Sequence, residues 1–152
     1  MLVYRICRSK YARDLEGEGA KLFGGRWNNK SIGCVYTSES RALALIEYTV
    51  NVNIDDIPRA LSLTTIEIPD TLVYICSEDE LPGNWKTTPA PAATKEFGSL
   101  LLKAAHVAVV KVPSTVVPEE FNLLLNPLHA KSDRFKIYSV RDFIFDVRIK
   151  TT

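Results

Sequence analysis

Short apolar runs that alternate with polar residues, or stop at proline, glycine or a Pro-Asp pair, recur along this 152-residue chain and constrain its fold more than any other feature. "LVYRIC" (2–7), "GCVYTS" (33–38), "LSLTTIEI" (61–68), "LVYIC" (72–76), "HVAVVKV" (106–112) and "FIFDVRI" (143–149) read as strands. Two stretches have helical period. "SESRALALIEYTVN" (38–51) is expected to start from Ser38 as N-cap, and "PAPAATKEFGSLLLKAA" (89–105) enters after a proline. "DLEGEGAKLFGGRWNNKSIG" (14–33) reads as a long loop held by its own glycines. Strands outnumber helices and mostly follow one another. The expectation is therefore a single α+β domain with a mixed or antiparallel sheet and flanking helices, rather than a doubly wound α/β fold.

Composition narrows the functional classes. A hydrophobic content of 46% with 24% charged residues is that of a globular chain, long enough for one core without disulfide or metal support. Nineteen Lys and Arg against eighteen Asp and Glu leave a formal charge of +1, which provides no general attraction for nucleic acid or anionic lipid. The N-terminus "MLVYRICRSKYARD" carries arginines where a signal peptide would be apolar, and no run reaches the ~20 apolar residues of a membrane span, so a cytoplasmic protein is expected. Cys7, Cys34 and Cys76 are odd in number and sit in apolar runs, as buried reduced thiols do. His106 and His129 share no metal-ligand spacing with each other or with a cysteine, so no metal site is expected.

Several side chains stand out chemically. On a wheel of about 100° per residue, Glu47 lies about 40° from Leu43, on the apolar side with Ile46 and Val50. A carboxylate there needs a cation or several donors, unless it reaches to water from the helix edge. Arg26 follows the Gly24-Gly25 pair, where unusual backbone angles are allowed, and offers a planar fork of donors suited to phosphate or carboxylate; a solvated loop arginine is the alternative. Trp27 reads as the core anchor of that loop. Gly17, Gly19 and Gly24 form GxGxxxxG with neither a preceding strand nor a following Lys-Ser, so neither nucleotide-loop fingerprint is present. Ser114 follows a strand and a proline, with Asn122, Asn126 and His129 downstream in a turn-rich segment. No G-x-S-x-G elbow surrounds it, which suits hydrogen bonding to a ligand, or a plain turn, better than nucleophilic attack.

Together these residues resemble the RES domain, a family named for its arginine, glutamate and serine. The resemblance is carried by "YRI" at Tyr4 to Ile6, "LEGEGAKLFGGRWN" at Leu15 to Asn28, "VYTSESRALALIE" at Val35 to Glu47, and "VPS…FNLLLNPLH" from Val112 to His129. Arg26, Glu47 and Ser114 stand at the naming positions, while Arg5, Tyr36 and Asn122 fall where members place other pocket groups. Segment 78–105 departs most, with leucines in "KEFGSLLLKA" where the resemblance leads one to expect a tryptophan.

The resemblance implies one RES domain over residues 1–152, with a fold similar to that of bacterial ADP-ribosyltransferase toxins and NAD⁺ held in a cleft between strands. It implies the toxin of a type II toxin–antitoxin module, paired with an Xre-like helix-turn-helix antitoxin. It further implies NAD⁺ as substrate rather than prosthetic group, cleaved at the nicotinamide–ribose bond by hydrolysis or by phosphorolysis with phosphate as co-substrate. In that reading Glu47 faces the cationic transition state, Arg26 and Arg5 clamp the pyrophosphate, and Tyr36 stacks on nicotinamide. Ser114 and Asn122 bond its carboxamide or the ribose hydroxyls. A protein ADP-ribosyltransferase and a non-catalytic nucleotide-binding module are the alternatives.

Overall fold

The computed structural model describes residues 1–150; the last two residues of the expected 1–152 domain lie outside the described residues. Its elements run β1 (Leu2–Arg8), α1 (Glu18–Phe23), β2 (Val35–Ser38), α2 (Arg41–Val50), β3 (Leu61–Glu67), β4 (Val73–Ile75), α3 (Ala92–Ala104), β5 (Val109–Pro113), β6 (Phe121–Leu125) and β7 (Lys136–Phe143). The strands form one seven-stranded sheet in the order β4-β5-β6-β2-β1-β3-β7. Only β4 and β5 pair in parallel, so the sheet is mixed and the domain α+β. The two halves of the sheet meet at a single registered pair, Tyr4 with Ser38.

Alternation along the strands sorts side chains onto two faces. One face collects Val3, Val35, Ile66, Val109, Leu123 and Leu125 into one buried cluster. The other carries two separate apolar clusters. Tyr4, Ile6 and Leu63 pack against Ala44, Leu45 and Tyr48 of α2. Tyr36, Val110, Val112 and Leu124 pack against Trp27, Trp85 and the Phe97, Leu101 and Leu102 side of α3. Ser38 and Asn122, paired across β2 and β6, lie on this second face.

Several elements differ from their sequence expectations, each for a local reason. The N-cap of α2 is Ser40, whose Oγ accepts the Leu43 N–H at 3.0 Å; Ser38 ends β2 instead. Segment 14–33 contains a helical turn, α1, because the Asp14 carboxylate accepts the N–H groups of Glu16 and Glu18 at 2.8 Å each. The turn-rich segment after Ser114 holds a full strand, β6, whose Leu123, Leu124 and Leu125 are buried on both faces and so show no alternation. The last strand is β7, seven residues earlier than "FIFDVRI" suggested. It is an edge strand whose half-buried residues, Ile137, Val140 and Phe143, are spaced by three across a register shift in its pairing with β3, so a period of two does not mark it. Beyond Phe143 the chain leaves the sheet with Ile144 92% exposed, and Phe145 meets the Tyr48 ring edge-on at 6.2 Å. Lys150 Nζ then caps the α2 carbonyl of Thr49 and that of Val52.

The three cysteines are free thiols. Cys34 and Cys76 are buried and Cys7 half-buried. Burial pushes the Cys34 thiol far up and the Cys76 thiol up to about 12, so both stay protonated near neutrality. Among the described residues no helix is long and apolar enough to cross a membrane.

Helix α3 docks closely because it presents Gly98 to the chain at Trp27. A Cβ at position 98 would lie 1.9 Å from the Trp27 carbonyl oxygen, and the neighbouring Ser99 Oγ accepts the Asn29 N–H at 2.8 Å. Gly98→Ala must therefore lift the helix from the turn that bears Arg26. We expect urea denaturation to show a loss of about 1–3 kcal/mol or more, despite the higher helix propensity of alanine; a stability gain would contradict this packing.

Candidate active site

The seam between the two clusters on the second sheet face is polar, and it is built around Glu47. Helix α2 packs its Leu43 and Ala44 inward, which leaves Glu47 half-buried at the margin while Val50, grouped with it on the helical wheel, is 54% exposed. The carboxylate finds its donors across the sheet. Ser114 Oγ donates to Glu47 Oε1 at 2.6 Å, and Asn122 Nδ2 donates to the same oxygen at 2.7 Å. These bonds offset the desolvation of the charge. Glu47 Oε2 has no hydrogen-bond partner among the described residues.

Both donors are held in orientation. Ser114, fully buried, accepts the N–H groups of Val116 and Val117 at 3.0 and 3.1 Å, which occupies its lone pairs and directs its proton to Glu47. A hydroxyl so engaged is a donor rather than a nucleophile. Asn122 Oδ1 accepts from Ser38 Oγ at 2.7 Å, so its amide N–H₂ faces Glu47. Ser38, expected from the sequence to cap α2, orients Asn122 instead, a role that no local signal marked.

Arg26 stands on a turn shaped by Gly24-Gly25. Gly24 has φ +73°, a left-handed conformation, and a Cβ on Gly25 would lie 2.5 Å from Tyr36 Oη. Tyr36 Oη accepts the Trp27 N–H at 2.9 Å and donates to Asn28 Oδ1 at 2.7 Å. Asn28 is completely buried, and its Nδ2 reaches the carbonyls of Ala20, Asn29 and Ile32. Asn28 is thus the internal clamp of the turn, a role that its polar side chain beside Trp27 did not advertise. Trp27 is buried and stacks on Trp85, with ring centroids 6.2 Å apart.

The Arg26 guanidinium donates to Trp85 O at 2.9 Å, Thr87 O at 2.8 Å and Thr88 Oγ1 at 3.1 Å. Burial lowers its pKa from the ordinary arginine value, and the negative charge of Glu47 opposes that shift. Arg26 and Glu47 are therefore within electrostatic reach, although no ion pair joins them among the described residues. Burial also raises the Tyr36 phenol well above its ordinary value, so it remains a neutral donor.

Arg26, Tyr36, Glu47, Ser114 and Asn122 thus share one face of the sheet. Arg5 does not join them. It follows Tyr4 in β1 and so emerges on the opposite face, where its Nη2 donates to the carbonyls of Tyr11, Ala12 and Asp14 at 2.9–3.2 Å. Its cross-strand partner Thr64 also bonds Ala12 O. Asn126 and His129 serve locally: Asn126 bonds the Leu102 and Val107 carbonyls, and His129 Nδ1 accepts the Lys131 N–H. An open cavity of about 550 Å³ lies away from the seam, among Glu16, Lys21, Asn29, Lys103 and Leu128. Among the described residues, no group of three or more His, Cys, Asp or Glu is placed to hold a metal ion.

The chain is similar to known proteins over nearly its whole length. The RES domain matches residues 2–147. A protein of Sphingobium sp. (strain YBL2) named Prs ADP-ribosylating toxin is 39% identical over 145 residues, covering 93% of this chain and 90% of its own. A protein named Toxin Res from Yersinia enterocolitica is also 39% identical, over 153 residues, covering 99% of this chain and all of its own. Among solved structures, a chain of the M. tuberculosis MbcT–MbcA toxin–antitoxin complex superposes with a TM-score of 0.72 at 18% identity, covering 93% of this chain and 83% of its own, which is a likeness of fold. Coverage of nearly the whole chain by both the domain and its relatives places this protein in the RES domain family.

Proposed function

We propose that the protein is a toxin that consumes NAD⁺ by cleaving its nicotinamide–ribose bond, with Glu47 as the catalytic residue. The observation that carries this reading is the state of the Glu47 carboxylate, pinned through Oε1 by Ser114 and Asn122 and left without a described partner at Oε2. When the C1′–N bond breaks, nicotinamide leaves with the bonding pair and the ribose becomes oxocarbenium-like, as in glycoside cleavage. A fixed anion beside C1′ stabilises that charge better than a mobile, solvated one. Water, losing a proton, or a phosphate oxygen then completes the bond to C1′.

The other residues have supporting roles in this proposal. Arg26 grips a phosphate of the dinucleotide, and the half-buried Tyr36 ring offers a surface for nicotinamide. Ser114 and Asn122 orient Glu47, with the remaining Asn122 N–H free to meet a ribose hydroxyl. Arg5 acts from the other face by holding the 11–14 segment. The relatives named as toxins, and the toxin–antitoxin complex among solved structures, support the toxin role and an antitoxin protein as partner; an Xre-like antitoxin and a cytoplasmic setting follow from the family resemblance.

A second reading has its own support in the name of the Sphingobium relative: transfer of ADP-ribose to a protein. The two readings share the same bond cleavage and differ in the acceptor. Incubation with NAD⁺ alone, with phosphate, and with Prs as acceptor, followed by mass analysis, separates them. Free ADP-ribose marks hydrolysis, ADP-ribose 1″-phosphate marks phosphorolysis, and a mass gain on Prs marks transfer.

Two substitutions test the residues. Glu47→Gln keeps shape and packing but removes the anion, so nicotinamide release should fall by at least about a hundredfold, as for loss of an electrostatic transition-state contact, and expression in bacteria should become harmless at equal soluble levels. Undiminished release would remove Glu47 from the chemistry. Arg26→Lys keeps the charge but not the fork. We expect NAD⁺ binding to weaken by about 1.5–3 kcal/mol, the scale of a hydrogen bond to a charged group, measured by calorimetry; parental affinity would make Arg26 a loop residue only.

A further inference from the structure

Every hydrogen bond that the Arg26 guanidinium donates among the described residues goes to the connector between β4 and α3, at Trp85, Thr87 and Thr88, within the segment 78–105 in which the chain departs most from its family resemblance. Trp85 is buried and stacked on Trp27, the residue next to Arg26, so the connector is anchored to the turn it touches. From that anchor it presents two carbonyls and a hydroxyl to one guanidinium. Backbone bonds from Trp85 N to Pro82 O and from Thr87 N to Asn84 O, both 3.0 Å, hold the connector in consecutive turns, which fixes where those carbonyls point.

The bonding pattern also decides which part of Arg26 remains for a ligand. A guanidinium has five N–H donors. Nη1 gives both of its hydrogens to Trp85 O and Thr87 O, and Nη2 gives one to Thr88 Oγ1. Nε–H and the second Nη2–H have no partner among the described residues. Adjacent N–H groups of this kind make a fork that matches two oxygens of one phosphate group. Without the connector the guanidinium could rotate among several orientations. With it, one fork is presented.

We infer that the Trp85–Thr88 connector is a positioning element for substrate, which orients Arg26 so that its Nε–Nη2 edge grips a single phosphate of a phosphate-bearing nucleotide. The inference rests on the reading of Arg26 as a phosphate ligand. It assigns to Thr88 a role in affinity rather than in bond cleavage, since the hydroxyl touches the arginine and not Glu47. Thr87 and Thr88 are solvent-exposed, so replacing the hydroxyl leaves the core intact.

The test compares Thr88→Val, which keeps the shape and removes the hydroxyl, with Thr88→Ser, which restores it. NAD⁺ affinity is measured by calorimetry in a Glu47→Gln background, and kcat and KM for nicotinamide release in the otherwise unaltered chain. Thr88→Val should raise Kd and KM about three- to tenfold, the range for one hydrogen bond at a partly solvated site, with kcat within about twofold, and Thr88→Ser should return both to near the parental values. Unchanged affinity in Thr88→Val overturns the inference. Tighter binding also overturns it, because the connector would then compete with substrate for Arg26. Arg26→Lys, measured alongside, separates the two levels: if it binds NAD⁺ like the parent, the phosphate-ligand reading fails, whereas weakened Arg26→Lys with unaffected Thr88→Val sinks only the role of the connector.

Discussion

A carboxylate on the inner margin of a ten-residue helix must be met by donors, and here they come from the far half of the sheet. Ser114 leaves the end of β5, Asn122 stands in β6, and Ser38, which orients Asn122, ends β2. One oxygen of Glu47 therefore ties α2 to three strands. The cost of desolvating the charge is offset only while β2, β5 and β6 keep their register, so the catalytic reading and the integrity of the sheet rest on the same bonds. Because both donors converge on Oε1, the other oxygen stays available.

The second half of the site obeys a different logic. Arg26 is placed by close packing: Gly25 lies flat against Tyr36, Gly98 lets α3 touch the Trp27 backbone, and Trp85 stacks on the Trp27 ring. Asn28 satisfies the carbonyls that such a compact turn would otherwise bury without partners. A polar seam thus separates two apolar clusters, with an anion held by hydrogen bonds on one side and a cation held by a packed turn on the other. Such an arrangement suits a substrate that carries phosphate at one end and develops positive charge at the other.

Most strands were legible because apolar and polar residues alternate along the sequence, as in "LSLTTIEI" for β3, or because the run is apolar up to a proline, as in β5. The two that were not legible lack a period of two. β6 runs Leu123-Leu124-Leu125 without alternation, and a register shift against β3 spaces the half-buried Ile137, Val140 and Phe143 of β7 by three. The helix start shifted from Ser38 to Ser40 because two serines compete for one cap, and hydrogen-bonding partners decide which of them turns inward. "FIFDVRI" alternates like a strand, but only Phe143 stands in β7, and Phe145 packs on Tyr48 of α2 beyond the sheet.

The sequence by itself determined the fold class, the family, the uncommon backbone of the Gly24-Gly25 turn and the inward lean of Glu47, since each depends on local geometry or on motif order. Only the tertiary structure decided what surrounds those residues. It placed Arg5 on the opposite sheet face from Glu47, gave Asn122 to Glu47 and Ser38, and brought Trp85 and Thr88 to Arg26 across some sixty residues of chain. The physical reason is range. Period, capping and glycine act over a few neighbouring residues, whereas strand register and side-chain pairing across the sheet are set by contacts between segments far apart in the chain.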